Sequence, residues 1–299
     1  MTYWLVSNPN AGDKRCDREF WLDHLAKAGI RNPRCCSFED TSWVEELEAG
    51  DVLMVAGGDG SANLGARLCL KTGATLAILP SGTANDFARN LDLPESPEML
   101  CQLIAEGARL RVDVADFGKG IFLNVAHVGI GTLPAREARR SEKRLFGRFS
   151  YGVNLLRRVN ARRGFRARIH CDKGVITGRW LSVAVANGGF FGGGNEIPET
   201  SVNNGCLSVV AVKPRPLIQL LATFVLVQLG RQSPRRSSTF MHLKARRCVI
   251  ETGKPKTVTA DGELIGKTPL EVASRPASLM VIGRRIVATG SRNSAAHTS

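Results

Sequence analysis

The chain has 299 residues, of which 43% are hydrophobic and 23% are charged, and this balance is typical of a globular protein rather than a disordered one. Its length exceeds what one ordinary core holds, so we expect two domains. The eight cysteines show no CxxC pair and no metal-ligand spacing, which favours reduced core residues over a disulfide framework. The N-terminus carries no basic region followed by a sustained apolar stretch, so no secretory signal is predicted and we expect a cytoplasmic protein.

The net charge of +14 is concentrated in two segments. Between residues 136 and 168 there are twelve Lys or Arg against two Glu, and between residues 231 and 247 there are six against none. Such local basic surfaces suit an anionic partner, such as phospholipid or nucleic acid, and the alternative interpretation is a solvated face that keeps the protein soluble.

The first third of the chain alternates short apolar runs with helical periodicity. Strands are predicted at 3–6, 33–38, 52–56 and 75–79, and helices at 17–28, 42–49, 62–71 and 84–91. Alternating strands and helices predict a three-layer α/β domain with a parallel sheet covered on both faces.

Three of these strands run directly into glycine-bearing loops, at residues 7–12, 57–63 and 80–86. The carboxyl ends of parallel strands lie along one edge, where open α/β sheets bind ligands. An Asp-Gly pair also suits a plain hairpin turn, but the sequence after Gly60 has helical spacing, so a helix is expected to begin near Ser61. Backbone N–H groups at such a helix start form an anion site.

The kind of phosphate site can be narrowed from the motifs. The sequence has no GxxxxGK[ST] loop and no GxGxxG after the first strand, which argues against a Walker P-loop and a dinucleotide site. Asp59, inside the glycine turn, would repel phosphate unless a divalent cation lay between them. This combination predicts a metal–nucleotide complex and kinase chemistry.

The sequence after about Asp113 is rich in predicted strands, which indicates an all-β domain. These strands are predicted at 121–128, 165–171, 180–186, 207–212, 248–251, 257–260 and 279–282. A basic helical insertion is predicted near 136–164. The mainly apolar stretch of thirteen residues at 217–229 is too short to span a bilayer and suits a buried or an interfacial helix.

The motifs NPNAG, GGDGS, LPSGTANDFARNLDLP, NGGFFGGG and ADGELIGKTPLEV together resemble those of the diacylglycerol kinase catalytic family, in its bacterial soluble lipid kinase branch. GGDG alone is shared with NAD kinases and sphingosine kinases, whereas the SGTANDFAR block is more specific. The resemblance implies an α/β nucleotide-binding domain at 1–117 and a β-rich, sandwich-like lipid-substrate domain at 118–279. It also implies that the last strands, near 280–292, return to the first domain and that the active site lies in the cleft between the domains.

The resemblance also assigns roles to individual residues, with ATP and Mg²⁺ as cofactors. Glu263 matches the general base that accepts the proton of the lipid alcohol, and Asp59 is expected to organise the metal–phosphate network. A bare DGE tripeptide also suits a surface turn. Ser37 stands where the family usually has a threonine. The residues that match nucleotide-binding positions are Asn8, Pro9, Asn10, Ala11, Gly12, Ser37, Gly57, Gly58, Asp59, Gly60, Ser61, Ala62, Asn63 and Thr83.

One position departs from the family pattern. Around a structural metal site the family usually has Asp before Gly, whereas this chain has Asn204 before Gly205. The metal ligands implied by the resemblance are Asn204 and the main-chain carbonyls of Ser201 and Cys206. Because an amide oxygen carries no charge, a weaker or altered magnesium dependence is predicted.

We therefore expect an ATP- and magnesium-dependent kinase that phosphorylates a hydroxyl of diacylglycerol or a related lipid. The expected partners are the lipid substrate and an anionic membrane surface that the protein contacts transiently. No nucleic acid is expected, because aromatic residues make up only 6% and no RNA-binding motif appears. A homodimer is left open. The alternatives are an NAD kinase-like enzyme with a soluble acceptor and a degenerate relative that binds nucleotide and lipid without turnover.

Overall fold

The structure is a computed structural model that describes residues 1–7, 16–129, 164–172, 174–197, 200–216, 219–220 and 239–284. The chain divides into two compact units. Unit 1 comprises Met1–Val114, Gly188–Gly205 and Arg275–Ser299, and unit 2 comprises Ala115–Asn187 and Cys206–Ser274. The predicted basic insertion lies outside the described residues, as does the apolar segment 217–229 apart from residues 219 and 220.

The elements of the first 116 residues alternate as predicted. They are β1 (Tyr3–Ser7), α1 (Arg18–Lys27), β2 (Arg34–Cys36), a 3-10 helix (Ser42–Glu46), β3 (Val52–Gly57), α2 (Asp59–Thr72), β4 (Thr75–Pro80), α3 (Asp86–Asn90), α4 (Pro97–Glu106) and β5 (Arg109–Asp116). The sequence analysis missed α4 and β5. The predicted helix at 62–71 is confirmed as α2, which begins slightly earlier, at Asp59, with Gly58 at the N-cap position.

The later part of the described chain is almost entirely β-structure. Its strands are β6 (Ile121–Phe122), β7 (Val125–Gly129), β8 (Phe165–Cys171), β9 (Gly174–Trp180), β10 (Ser182–Ala186), β11 (Phe190–Phe191), β12 (Asn195–Glu196), β13 (Leu207–Val212), β14 (Phe240–Ala245), β15 (Arg247–Thr252), β16 (Thr257–Ala260), β17 (Glu263–Lys267) and β18 (Leu270–Ile282). The predicted strand at 121–128 is interrupted, because the backbone N–H groups of Leu123 and Asn124 bond to the carboxylate of Asp261.

Unit 1 is built on a parallel sheet with the strand order β2-β1-β3-β4. The last part of β18 continues it in parallel, with Val281 opposite Leu76. Every residue of β3 is buried, as expected for a strand in a sheet covered on both faces. Trp21 of α1 and Leu100 of α4 belong to the same core cluster as the strand residues. The predicted α/β fold class is confirmed.

Unit 2 contains antiparallel sheets. One has the order β14-β13-β10-β7-β16-β17, and in the other β15 pairs with β8, with the first part of β18 on its other side, and β8 pairs with β9. A single cluster of buried side chains, including Phe122, Val183, Ile169 and Ile250, joins residues of both sheets. This is the predicted β-sandwich-like architecture. Among the described helices, none is long and apolar enough to cross a membrane.

Candidate active site

The predicted nucleotide-binding residues of unit 1 follow the carboxyl ends of neighbouring parallel strands. Ser37 comes directly after β2, Gly57 ends β3, and Thr83 lies three residues after β4. Residues 8–12 follow β1 but lie outside the described part of the chain. Since β2, β1, β3 and β4 run in parallel, their ends share one edge, which is where sheets of this kind bind ligands.

The start of α2 supplies backbone donors at this edge. The first intrahelical hydrogen bond runs from the N–H of Ala62 to the carbonyl of Gly58, at 3.0 Å. The N–H groups of Asp59, Gly60 and Ser61 therefore precede the helical ladder, as the first N–H groups of any helix do. Such groups together with the helix dipole attract phosphate. Ala62 lies beyond these donors, and its side chain is buried.

Two glycine loops contact each other at this edge. A Cβ atom on Gly82 would lie 2.6 Å from the Cα atom of Gly58 and 2.8 Å from Oδ1 of Asn85. The Asn85 side chain closes its own loop, accepting from the N–H of Gly82 at 3.0 Å and donating to its carbonyl at 2.8 Å. Glycine is required at position 82 because the backbones of the two loops touch.

The carboxylate of Asp59 connects the same two loops. It accepts hydrogen bonds from the backbone N–H groups of Asp86, at 3.2 Å, and Phe87, at 2.9 Å. Asn85, the N-cap of α3, is in the left-handed conformation with φ of 50° and makes no side-chain cap bond. Asp59 therefore takes the capping role for α3 from a distance of 27 residues along the chain.

The side chains of α3 hold the glycine-rich segment of residues 187–194. The Asp86 carboxylate, with only 4% of the residue exposed, accepts from the N–H groups of Gly193 at 2.9 Å and Gly194 at 2.8 Å. Burial raises the pKa of Asp86, which these N–H donors oppose. Asn90 accepts from the N–H of Phe190 at 2.8 Å and donates to its carbonyl at 3.3 Å.

A third carboxylate positions the predicted metal-binding turn. Asp113 accepts from the N–H of Gly205 at 2.6 Å and from the N–H of Ala277 at 2.8 Å. Asn204 is exposed, and Cys206 is the first residue of the second segment of unit 2. In the part of the chain that the structure describes, no three His, Cys, Asp or Glu residues form a metal-binding group.

Glu263 lies in unit 2, immediately after a tight turn. Asp261 and Gly262 have φ of 46° and 86°, and Ala260 pairs with Glu263. Positive φ at both central residues of a two-residue hairpin is the type I′ pattern. The Asp261 carboxylate accepts from the N–H groups of Leu123, Asn124 and Val125, at 2.8 to 3.1 Å. The turn is therefore anchored, and Glu263 is exposed at the start of β17.

Comparison with known proteins agrees with these observations. The profile described as "Diacylglycerol kinase catalytic domain" matches residues 2–117, and the one described as "YegS C-terminal NAD kinase beta sandwich-like domain" matches residues 124–283. The chain belongs to the bacterial diacylglycerol kinase catalytic family.

Individual members of this family are similar over most of their length. A protein of Staphylococcus saprophyticus named "Diacylglycerol kinase" is 26% identical, covering 89% of this chain and 90% of its own. A Pseudomonas aeruginosa protein named "Probable lipid kinase YegS-like" is 28% identical, covering 79% and 78%. A crystal structure of a diacylglycerol kinase from Bacillus anthracis superposes with a TM-score of 0.72 at 25% identity, covering 95% of this chain and 97% of that one.

In this member of the diacylglycerol kinase catalytic family, the sequence analysis missed most of the residues that hold the site together. It left Asp86 and Asn85 between a supporting and a capping role, and it gave no role to Asn90, Asp113 or Asp261. Their partners are backbone N–H and carbonyl groups, which carry no residue-type signal. The glycines at 193 and 194 were the one indication of such a bond in the sequence, because glycine readily adopts positive φ. Their φ values of 87° and 92° suit a loop that turns back onto a carboxylate.

We predict that Gly82→Ala lowers the free energy of unfolding by about 1–3 kcal/mol, because the new methyl group would overlap the Gly58 backbone. Chemical denaturation monitored by circular dichroism measures this loss. The matched control is Gly253→Ala, since a Cβ atom at Gly253 meets no atom within 4 Å. Equal stability of the two variants would show that the loops are not in contact.

We predict that Asp86→Asn destabilises the protein by about 1–3 kcal/mol, because the amide turns an NH₂ group toward one of the glycine N–H donors. Asp40 is the control carboxylate, since it is exposed and accepts from the N–H of Ser42 at 3.0 Å. Thermal melting should show a lower midpoint for Asp86→Asn and an unchanged one for Asp40→Asn. An unchanged midpoint for both would remove the role given to Asp86.

Proposed function

We propose that this chain is an ATP-dependent lipid kinase that transfers the γ-phosphoryl group to a hydroxyl of diacylglycerol or a related lipid alcohol. The observation that carries this proposal is the set of backbone donors at the start of α2, held beside the Gly82 loop by Asp59. The names of the relatives, lipid kinase and diacylglycerol kinase, support the choice of a lipid acceptor.

The glycine loops of unit 1 would bind the nucleotide through their backbone. The N–H groups in the first turn of α2 would donate to phosphate oxygens, and the absence of a side chain at Gly58 and Gly82 would allow a close approach. When bound, Mg²⁺ would neutralise part of the negative charge of the phosphates. The Asp59 carboxylate suits it, because Mg²⁺ is usually held by one or two carboxylates together with substrate phosphates and water.

Glu263 would act as the general base. An alcohol is a weak nucleophile, and a carboxylate within hydrogen-bond reach can accept its proton as the phosphoryl group is transferred. The anchored Asp261–Gly262 turn fixes the backbone from which this side chain extends, and its exposure keeps the carboxylate accessible to a substrate. That Glu263 and the glycine loops line one cleft stays a prediction from the family resemblance.

Two alternative functions remain. One is a kinase that phosphorylates a soluble acceptor, as NAD kinases do, and the other is a degenerate protein that binds nucleotide and lipid without catalysis. The names of the relatives favour a lipid acceptor over a soluble one. The relative without turnover is considered because Asn204 replaces the usual Asp. An assay with several acceptors separates them.

We expect the protein to transfer radiolabel from γ-³²P-ATP to a lipid alcohol within a panel that includes diacylglycerols and NAD. Glu263→Gln should lower kcat at least about 100-fold with little change in KM for ATP, because it removes the base without touching the nucleotide loops. Asp59→Asn should lower kcat and raise KM for ATP, because it weakens the hydrogen bonds between residue 59 and the backbone N–H groups at the start of α3.

Glu251→Gln is the control, since Glu251 is an exposed carboxylate on β15 and its Oε2 lies 3.1 Å from His170 Nε2. It should retain full activity. Labelling of NAD alone would support the soluble-acceptor alternative. Absence of any product, with ATP still bound, would support the degenerate relative and contradict our proposal.

The cation site that the family resemblance implies around Asn204 would offer only neutral oxygens, from the Asn204 amide and two main-chain carbonyls. Mg²⁺ can be coordinated by such oxygen ligands, but they add no negative charge to the site. The turn that carries them is already fixed by hydrogen bonds of Asp113, so its shape does not depend on the cation. We therefore propose a weak structural cation site in which Asn204 sets the affinity.

We predict that Asn204→Asp shifts the magnesium activation curve to lower concentration, by about tenfold, because it restores a charged ligand. Activity measured against free Mg²⁺ at fixed ATP–Mg²⁺ gives the curve. Asn203→Asp is the matched control, since Asn203 is the exposed neighbour whose Oδ1 accepts from Ser201 Oγ at 2.6 Å. An unchanged curve for Asn204→Asp would remove the site.

We also propose that the protein docks transiently on anionic membranes through an arginine face on the β8–β9 hairpin of unit 2. Arg166 lies directly opposite Arg179, Arg168 is two residues further along β8, and all three are exposed. Like charges in directly opposite positions destabilise a sheet, so this face suits an anionic partner. Val175, 57% exposed near the hairpin turn, adds an apolar contact.

We predict that replacing the three arginines by glutamine weakens binding to phosphatidylglycerol vesicles about 100-fold at low salt, because each arginine near an anionic surface contributes about 1 kcal/mol. Cosedimentation measures the bound fraction. The control removes three exposed cations of unit 1, which are Arg31, Arg67 and Lys71. Binding that is independent of anionic lipid and of salt, or stronger binding to nucleic acid, would contradict the docking proposal.

A further inference from the structure

Two cysteines of unit 2 face each other across adjacent antiparallel strands. Cys171, the last residue of β8, is the register partner of Cys248 in β15. The following pairs, His170 with Val249 and Ile169 with Ile250, continue the same register. Directly opposite residues in such a pair have Cβ atoms about 4.5–5.5 Å apart, and a disulfide needs about 3.5–4.5 Å. A small approach of the two side chains is therefore enough to join them.

The backbone beside the cysteines is fixed by a separate interaction. The carboxylate of Asp172 accepts hydrogen bonds from the backbone N–H groups of Arg246 and Arg247. These residues immediately precede Cys248, as Asp172 immediately follows Cys171. This clamp keeps the end of β8 aligned with the start of β15, so the two cysteines stay opposite each other.

The two thiols also differ in their surroundings. Cys248 is buried in the core, and Cys171 is half-buried at the margin of the same cluster. The neighbouring Cys248 thiol lowers the pKa of Cys171, whereas the neighbouring Cys171 thiol and burial raise the pKa of Cys248. Cys171 is consequently the thiol that is more readily ionised and more accessible to a small oxidant.

We propose that Cys171 and Cys248 form an oxidisable dithiol site, which closes to an intramolecular disulfide between β8 and β15 when the protein meets a hydroperoxide. The Cys171 thiolate attacks hydrogen peroxide, whose O–O bond breaks, giving a sulfenic acid and hydroxide. The Cys248 sulfur then attacks the Cys171 sulfur, and the S–S bond forms as the S–O bond breaks and water leaves. Two thiols are oxidised and one peroxide is reduced to two waters.

Cys35 and Cys36 differ from this pair although they are adjacent in sequence. Both lie in β2, where successive side chains point to opposite faces, so their sulfurs do not meet as those of opposite residues do. The proposed dithiol site does not depend on the kinase activity, and its test reads the bond itself.

The test treats the folded full-length protein with hydrogen peroxide, blocks the remaining thiols with N-ethylmaleimide and maps the peptides by mass spectrometry. We expect a cross-linked peptide containing Cys171 and Cys248, about 2 Da lighter than the sum of its reduced parts and restored by dithiothreitol. Cys171→Ser and Cys248→Ser should each abolish it. The double variant Cys35→Ser/Cys36→Ser should form it as wild type does.

Hydrogen exchange of the wild-type protein gives a second readout that does not depend on how a variant folds. Peroxide-treated protein should exchange more slowly than reduced protein at the amides of β8 and β15, because a covalent link suppresses local opening. Recovery of Cys171 and Cys248 in separate peptides, with circular dichroism still native, would overturn the proposal. Formation of the same cross-link at equal yield in urea-unfolded protein would also overturn it.

Discussion

The carboxylate of Asp59 holds together the part of unit 1 on which the proposed chemistry depends. It stands at the first position of α2 and accepts the backbone N–H groups that open α3. Through this bond the loop after β3 and the loop after β4 become one structure, in which the backbones of Gly58 and Gly82 touch. A carboxylate next to a predicted phosphate site is otherwise unfavourable, and here its charge is partly balanced by two N–H dipoles.

Two further carboxylates extend the same principle through unit 1. Asp86 joins the glycine-rich segment 187–194 to α3, and Asp113 joins the turn before Gly205 to the backbone of Ala277. These bonds explain why residues 188–205 and 275–284 belong to unit 1, although residues 115–187 and 206–274 of unit 2 separate them from the preceding parts of unit 1. In each case a side chain binds main-chain groups, so the loops keep their shape without a hydrophobic core of their own.

The spacing of apolar residues and the positions of turn residues were sufficient to predict most of the parallel sheet and the fold class of both units. They failed where charged residues interrupt an apolar pattern, as in β9 and β14, and where a bond from a distant residue divides a strand, as Asp261 does near Leu123. The DGE motif shows both outcomes. The motif does form a surface turn, as one interpretation expected, and this turn also fixes the start of β17, where Glu263 lies. The φ values of Asp261 and Gly262 identify it as a type I′ hairpin. Apart from the glycines at 193 and 194, carboxylates bound to backbone N–H groups left no pattern that a single sequence could reveal.

Hydrogen–deuterium exchange of the wild-type protein, with and without ATP and Mg²⁺, tests most directly whether the start of α2 binds the nucleotide phosphates. The structure leads us to expect slower exchange at the amides of residues 59–61 and in the loop 81–85, with little change at β15 of unit 2. If calorimetry shows that ATP binds while exchange at these amides is unchanged, the phosphate site lies elsewhere and the role given to the glycine loops is wrong.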